Sequence, residues 1–263
     1  MTSGSAPHVD DAGGPGLPVV FQHGLGGDAR QTAEAFPADP RFRRLTLECR
    51  GHGGSAAEAS DTFSIAAFAD DVAGMIEAVG RGPLVVGGIS MGAAIALRLA
   101  ARRPDLVRGL VVARPAWVTQ AAPDNMQPNA EVGRLLATLP TDAARQAFLA
   151  GDTASGLAEQ APDNLASLLG FFDRPTPAVT AALLQAIAAD GPGVSEQQVR
   201  AIVVPALVIG HGRDFVHPLS YATTLATLIP NARLVEITSK ADDRARYVAD
   251  FHTALSGFLK EFL

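Results

Sequence analysis

One short motif in the sequence could supply a nucleophile. The letters GISMG at 88–92 place a glycine two residues before and two residues after Ser90. The motif follows the apolar run at 84–87 and precedes a helix-like segment that begins near Ala93. A sharp turn from strand to helix strains the serine backbone, and only small residues two positions before and after it permit that turn. We therefore predict that Ser90 is a nucleophile at such a turn; the alternative is a glycine-rich turn with a helix-capping serine.

A second glycine-rich motif could complete a site for acyl transfer. The letters HGLGG at 23–27 directly follow the first apolar run, and glycines there let main-chain amides point into a ligand site. A developing oxyanion needs two N–H donors about 3 Å away, and the amides of Leu25 and Met91 are the expected pair. The alternative is a plain glycine turn, in which His23 serves as a structural hydrogen-bonding residue rather than a base.

Short apolar runs bounded by Gly or Pro are the elements that must position these motifs. They predict six buried strands, at 18–22, 44–48, 84–87, 109–113, 206–210 and 233–237. Apolar residues at helical spacing predict a helix from 65 to about 79, capped by Ser64, and a C-terminal helix with a stripe from Val248 to Phe262. The alternation predicts an α/β fold, with a mostly parallel sheet and helices on both faces.

The strand pattern stops between Trp117 and Arg200, where seven prolines break the chain into short helical pieces. The apolar residues of this stretch are too many for a solvated loop, so they need another surface to pack against. We predict a helical cap at 117–200, inserted into a core formed by 1–116 and 201–263. Such a cap would cover the carboxyl edge of the sheet, where ligands bind in folds of this kind.

Four motifs together resemble a known family. They stand in the family's order along nearly the whole chain: HGLGG at 23–27, RGHGGS at 50–55, GISMG at 88–92 and GHGRDFVHP at 210–218. The sequence thereby resembles α/β-hydrolase-fold proteins with a helical cap, close to the esterase, lactonase and haloperoxidase-like groups. The resemblance implies that Asp214 is the acid of a catalytic triad and that His52 is structural. Family members begin with an antiparallel hairpin, which the 17 residues before Pro18 leave shortened or missing.

The histidine of the family's triad has no counterpart in the sequence. It normally lies in the loop after the last strand, and the corresponding position here is Asp242. Asp242 could act as the base in a pocket dry enough to make its carboxylate more basic. His217, three residues past Asp214, is a possible surrogate base unless it is an ordinary surface histidine, and His252 on the closing helix is a more remote candidate.

Three functions remain open on this reading. The leading hypothesis is a serine-type hydrolase with an atypical or incomplete triad, acting on a small, largely apolar ester, lactone or related carbonyl compound. The second is a lyase, cyclase or isomerase in which Asp242 moves a proton, and the third is a ligand-binding protein that has lost catalysis. No metal or organic cofactor is expected, because ligand-spaced His, Asp or Cys clusters and a G-x-G-x-x-G after a strand are missing.

Composition limits the partners and the location. The formal net charge is −6, with 21 basic and 27 acidic residues and no basic run, so a nucleic-acid partner is not expected. No apolar run reaches the roughly 18 residues that a membrane span needs, so no membrane association is expected. The single Cys49 cannot form an internal disulfide, and the N-terminal segment does not resemble a signal peptide. We therefore expect a cytoplasmic protein.

Overall fold

A seven-stranded β-sheet runs through the centre of the protein in a computed structural model that describes residues 7–263. The strands are β1 (Val9–Asp11), β2 (Leu17–Gln22), β3 (Phe42–Leu47), β4 (Leu84–Ile89), β5 (Val107–Ala113), β6 (Ala206–Gly210) and β7 (Ala232–Glu236). Their order across the sheet is β1-β3-β2-β4-β5-β6-β7. Only β1 is antiparallel to its neighbour, and every other pair is parallel. This arrangement confirms the predicted mostly parallel α/β sheet.

Eleven α-helices accompany the sheet in the described part of the chain. They are α1 (Ala29–Ala35), α2 (Ile65–Val79), α3 (Met91–Arg102), α4 (Gln127–Thr138), α5 (Thr141–Leu149), α6 (Asp152–Gln160), α7 (Pro162–Leu169), α8 (Pro177–Ala188), α9 (Glu196–Arg200), α10 (Leu219–Leu228) and α11 (Arg244–Leu259). Buried residues of α2, α3 and α10 form one hydrophobic cluster with the sheet, and α1 and α11 contribute to another. Helices therefore cover both faces, as the two apolar stripes predicted.

Side-chain caps fix the starts of the two helices that the sequence predicted, α2 and α11. The Ser64 side chain accepts a hydrogen bond from the Ala67 amide at 3.0 Å, which satisfies one free N–H in the first turn of α2. Asp243 does the same for α11, where its carboxylate accepts from the Arg246 amide at 2.9 Å. Both caps hold helices that bury their apolar stripes on the sheet.

All six predicted strands are present, and the observed ends differ from the predicted ends by no more than two residues. The first strand, β1, was not predicted; it is three residues long and pairs antiparallel with β3. The expectation that every strand is buried was wrong for β7, whose residues are exposed or half-buried. The reason is position, because β7 lies at the edge of the sheet and has a neighbour on one side only.

The chain between β5 and β6 is helical and contains no strand. Its helices share a hydrophobic cluster of their own, which includes Val132, Phe148, Leu168 and Leu184. Two of them, α4 and α8, pack along each other. The division into a cap at 117–200 and a core remains a prediction.

No helix within residues 7–263 is both long enough and apolar enough to cross a lipid bilayer. The predicted lack of a signal peptide rests partly on residues 1–6, which lie outside the described part of the chain.

Candidate active site

The carboxyl ends of four neighbouring parallel strands bring the candidate residues to one edge of the sheet. His23 follows β2, Ser90 follows β4, Arg114 follows β5 and His211 follows β6. Since parallel strands present their carboxyl ends on the same side, loops distant in sequence meet there. This edge is where the predicted chemistry has to take place.

Ser90 lies in the strained turn that the motif predicted. Its backbone has φ of 57° and ψ of −110°, a conformation that non-glycine residues rarely adopt. Side chains two residues away would collide, because a Cβ on Gly88 would lie 2.6 Å from the Gly92 carbonyl carbon. A Cβ on Gly92 would lie 2.4 Å from the Gln22 carbonyl oxygen. The small residues of the motif are therefore a steric requirement of the turn.

His217 connects Ser90 to Asp214. Its Nε2 lies 2.8 Å from the Ser90 hydroxyl, and its Nδ1 lies 2.9 Å from one carboxylate oxygen of Asp214. The His217 amide also donates to that carboxylate at 3.1 Å, which fixes the loop that carries both residues. Burial lowers the pKa of His217 below its ordinary 6.5, an effect that Asp214 opposes. At neutral pH the ring is thus available as a proton acceptor.

Arg114 neutralises the buried carboxylate of Asp214. Its Nε and Nη2 donate to the same Asp214 oxygen at 2.9 and 2.6 Å, and the Asp214 side chain is inaccessible to solvent. Burial alone would raise the pKa of Asp214, but Arg114 and His217 outweigh burial and hold this pKa well below its usual range. Asp163 on α7 approaches Arg114 at 3.5 Å from the other side. Sequence reasoning missed Arg114, although an arginine directly after an apolar strand was a visible signal.

The structure does not bring Asp242 to Ser90. The Asp242 carboxylate forms an ion pair with Arg213, and both side chains are about half exposed. The side chain that hydrogen bonds to the Ser90 hydroxyl is His217, which corrects the interpretation of Asp242 as occupant of the base position. His252 does not contact Ser90 either; its Nε2 donates a hydrogen bond to the Glu34 carbonyl at 2.8 Å.

The two candidate oxyanion donors flank Ser90 from different loops. Met91 is the first residue of α3, where free N–H groups and the helix dipole favour negative charge. Leu25 lies in the glycine-rich loop, which Gln31 holds by accepting a hydrogen bond from the Gly24 amide at 2.7 Å. Neither the Leu25 amide nor the Met91 amide donates to another group within residues 7–263. Both therefore remain able to bind an oxyanion.

His23 holds this loop in place and does not face Ser90. Its Nδ1 donates to the Gly24 carbonyl at 2.8 Å, and its Nε2 accepts from the Cys49 amide at 3.0 Å. Both ring nitrogens are thus used by the backbone, in agreement with a structural role. Burial lowers the pKa of His23, so the ring stays neutral.

A cavity of about 270 Å³ opens above Ser90 and His217. Most of its apolar lining comes from the glycine-rich loop, the helical segment and the loop after β6. The residues are Leu25, Met126, Leu168, Phe171 and Val216. Its polar lining consists of Gln31, Arg114, Asn129, Asn164, Ser167 and Arg174. Among residues 7–263, no three His, Cys, Asp or Glu side chains form a group that could hold a metal ion.

Comparisons with known proteins agree with this geometry. A family profile described as alpha/beta hydrolase fold matches residues 18–241. The BpoC protein of Mycobacterium tuberculosis is 32% identical over 255 residues, which cover 86% of this chain and 87% of BpoC. The enol-lactonase of Burkholderia xenovorans LB400 has a crystal structure that matches with a TM-score of 0.68 and 27% identity, covering 94% of this chain and 96% of that one.

A third relative matches only in part. The mouse sn-1-specific diacylglycerol lipase ABHD11 is 34% identical over 124 residues, which cover 46% of this chain. The match spans 38% of the length of the lipase. The family and the names of its members indicate hydrolase activity in general.

Proposed function

Because this chain belongs to the α/β-hydrolase-fold family, we propose that it is a serine hydrolase acting on a small ester or lactone. The observation that carries the proposal is the 2.8 Å contact between the Ser90 hydroxyl and His217 Nε2. A serine hydroxyl is a weak nucleophile until a neighbouring base takes its proton, and a neutral imidazole at hydrogen-bonding distance is such a base. The triad is Ser90, His217 and Asp214, with base and acid on one loop.

The proposed reaction follows from these positions. His217 accepts the Ser90 proton while the serine oxygen attacks the substrate carbonyl carbon, and the amides of Leu25 and Met91 stabilise the resulting oxyanion. Asp214 stabilises the imidazolium, which then gives its proton to the leaving alkoxide. A water molecule, deprotonated by the same imidazole, attacks the acyl-enzyme carbonyl carbon; the ester bond to Ser90 breaks, the imidazolium returns its proton to the Ser90 oxygen, and the acid is released.

The helical segment supports this chemistry by shielding the cavity. Leu168 and Phe171 lie in its hydrophobic cluster and also line the cavity above Ser90. Excluding water strengthens the electrostatic interactions of a site. We propose that this segment acts as the cap over the active site and selects the substrate.

Turnover of 4-nitrophenyl butyrate by three variants tests the triad. Ser90→Ala and His217→Ala should each lower kcat by roughly 10⁴-fold or more, as loss of a triad member does elsewhere. Asp242→Asn should stay within about threefold of the parent, because Asp242 pairs with Arg213. The reverse pattern, a large loss for Asp242→Asn and none for His217→Ala, would overturn the assignment.

Labelling with a fluorophosphonate separates the proposal from its alternatives. Rapid covalent labelling at Ser90, abolished in His217→Ala, is the expected result. If the protein shows neither labelling nor ester turnover, the result favours the ligand-binding protein instead. The lyase, cyclase or isomerase alternative had Asp242 move a proton because a triad histidine was missing. The contact of His217 with Ser90 and the ion pair of Asp242 with Arg213 remove that reason.

A further inference from the structure

A second arginine, Arg174, lines the cavity and belongs to none of the triad interactions. It follows the 3₁₀ turn Gly170–Asp173 at the edge of the helical segment. Its two terminal nitrogens donate to backbone carbonyls, to Gly26 at 3.0 Å and to Gly51 at 2.5 Å. The guanidinium therefore reaches the same glycine-rich loop that carries the Leu25 amide.

Arg174 has no counter-ion among residues 7–263. No carboxylate lies within ion-pairing distance, and its buried Nε has no hydrogen-bond partner. Burial lowers the pKa of Arg174, and the more distant carboxylate of Asp28 opposes this effect only in part. Arg114, the other arginine of the cavity, differs because Asp214 neutralises it. A partly buried cation without an anion is costly unless a ligand supplies the charge.

The rest of the cavity agrees with an anionic ligand. None of its lining residues is Asp or Glu, although acidic residues exceed basic ones by six in the whole chain. Asn129 and Ser167 add neutral side chains to the lining, whose amide N–H and hydroxyl can donate hydrogen bonds to an anion. Two carboxylates, those of Asp163 and Asp214, lie within 4 Å of Arg114, whereas none within residues 7–263 lies that close to Arg174.

We propose that the substrate carries a carboxylate, separate from the carbonyl that Ser90 attacks, and that Arg174 binds this carboxylate. This inference rests on the proposed hydrolase function. Each terminal nitrogen of Arg174 carries a second N–H besides the one that bonds to the Gly26 or Gly51 carbonyl, and one carboxylate balances the single charge of the guanidinium. A phosphate, which carries nearly two charges, would leave one of them unbalanced in this cavity. The substrate is thus a half-ester or a lactone acid, whereas the sequence predicted a largely apolar compound.

A pair of esters that differ only in charge tests the proposal. We choose mono-4-nitrophenyl adipate, which has a free carboxylate, and its methyl ester, which does not. The parent protein should prefer the acid, and Arg174→Gln should lower kcat/KM for the acid by about tenfold to a hundredfold, mainly through KM. The same variant should lower kcat/KM for the neutral ester by a clearly smaller factor, because that ester loses only what the Gly26 hydrogen bond contributes to holding the glycine-rich loop.

Arg98→Gln is the matched control variant. Arg98 also donates to backbone carbonyls, those of Pro192 and Gly193, but it does not line the cavity. This variant should have the same kcat/KM for each ester as the parent protein. Equal losses on both esters in Arg174→Gln would assign Arg174 a purely structural role and overturn the inference, as would a parent protein that prefers the neutral ester.

Binding to Ser90→Ala separates failure of the inference from failure of the proposed function. Calorimetry should detect monomethyl adipate and not dimethyl adipate, and Arg174→Gln in the same background should weaken that binding. If neither 4-nitrophenyl ester is hydrolysed but the binding difference persists, the hydrolase proposal fails and the carboxylate site stands. If hydrolysis depends on Ser90 but no binding difference exists, the carboxylate site fails alone.

Discussion

Replacing Arg114 with methionine should shift the pH dependence of the enzyme in a direction that the geometry dictates. Arg114 Nη2 lies 3.3 Å from His217 Nδ1, and its positive charge lowers the pKa of that ring in addition to burial. Acylation needs neutral His217, so kcat/KM falls as the pH decreases through this pKa. Arg114→Met removes the neighbouring cation, stabilises the imidazolium and moves the acidic midpoint to higher pH.

The size of the shift follows from Coulomb's law. Two unit charges at this 3.3 Å distance interact with about 1.3 kcal/mol at the dielectric constant of water, and with more in less polar surroundings. Because about 1.4 kcal/mol corresponds to one pKa unit, the midpoint should rise by roughly 1 pH unit or more. Release of Asp214 from Arg114 acts in the same direction, since the carboxylate then stabilises the imidazolium alone.

The assay is kcat/KM for 4-nitrophenyl butyrate between pH 4.5 and 8, with thermal unfolding recorded for each protein. Arg114→Lys keeps the charge and should keep the acidic midpoint close to that of the parent, despite its different hydrogen bonds. A folded Arg114→Met protein whose midpoint is unchanged, or lies at lower pH, would refute the electrostatic role of Arg114.

Two further predictions concern stability. Gly92→Ala should lower the free energy of unfolding by about 1 to 3 kcal/mol, because its Cβ would meet the Gln22 carbonyl; Gly74→Ala, in open space on α2, should instead add up to about 1 kcal/mol. Urea unfolding measures both, and equal effects would contradict the steric argument. Stability should also fall between pH 7.5 and 5.5, because burial lowers the pKa of four histidines and the unfolded chain then binds protons that the folded chain does not. They are His23, His52, His211 and His217. Equal urea midpoints at the two pH values would show that folding does not lower the pKa of these histidines.

The sheet could be predicted from sequence because its strands are short, apolar and clearly bounded. The runs that became β4 and β6 are fully buried, so each has an unbroken apolar signal. The strand β1 gives no such signal, since it contains three residues, two of them aspartates. Its pairing with β3 depends on tertiary contacts that a local pattern does not contain.

The candidate site was predictable where backbone geometry restricts the residue types. The turn at Ser90 tolerates only small neighbours, and that requirement is visible as a motif. The base was harder to assign, because counting along the chain gives a position and not the direction in which a side chain points. Asp242 has the expected position but pairs with Arg213, whereas His217 has an unexpected position and contacts the serine.

The proposed acid and base, Asp214 and His217, are three residues apart, so one short segment of the chain carries both. The spacing between Asp214 and His217 is set within one turn, because the His217 amide donates a hydrogen bond to the Asp214 carboxylate. It does not depend on how the loop between β7 and α11 docks. That loop therefore need not supply the base, and its sequence is free of that one requirement.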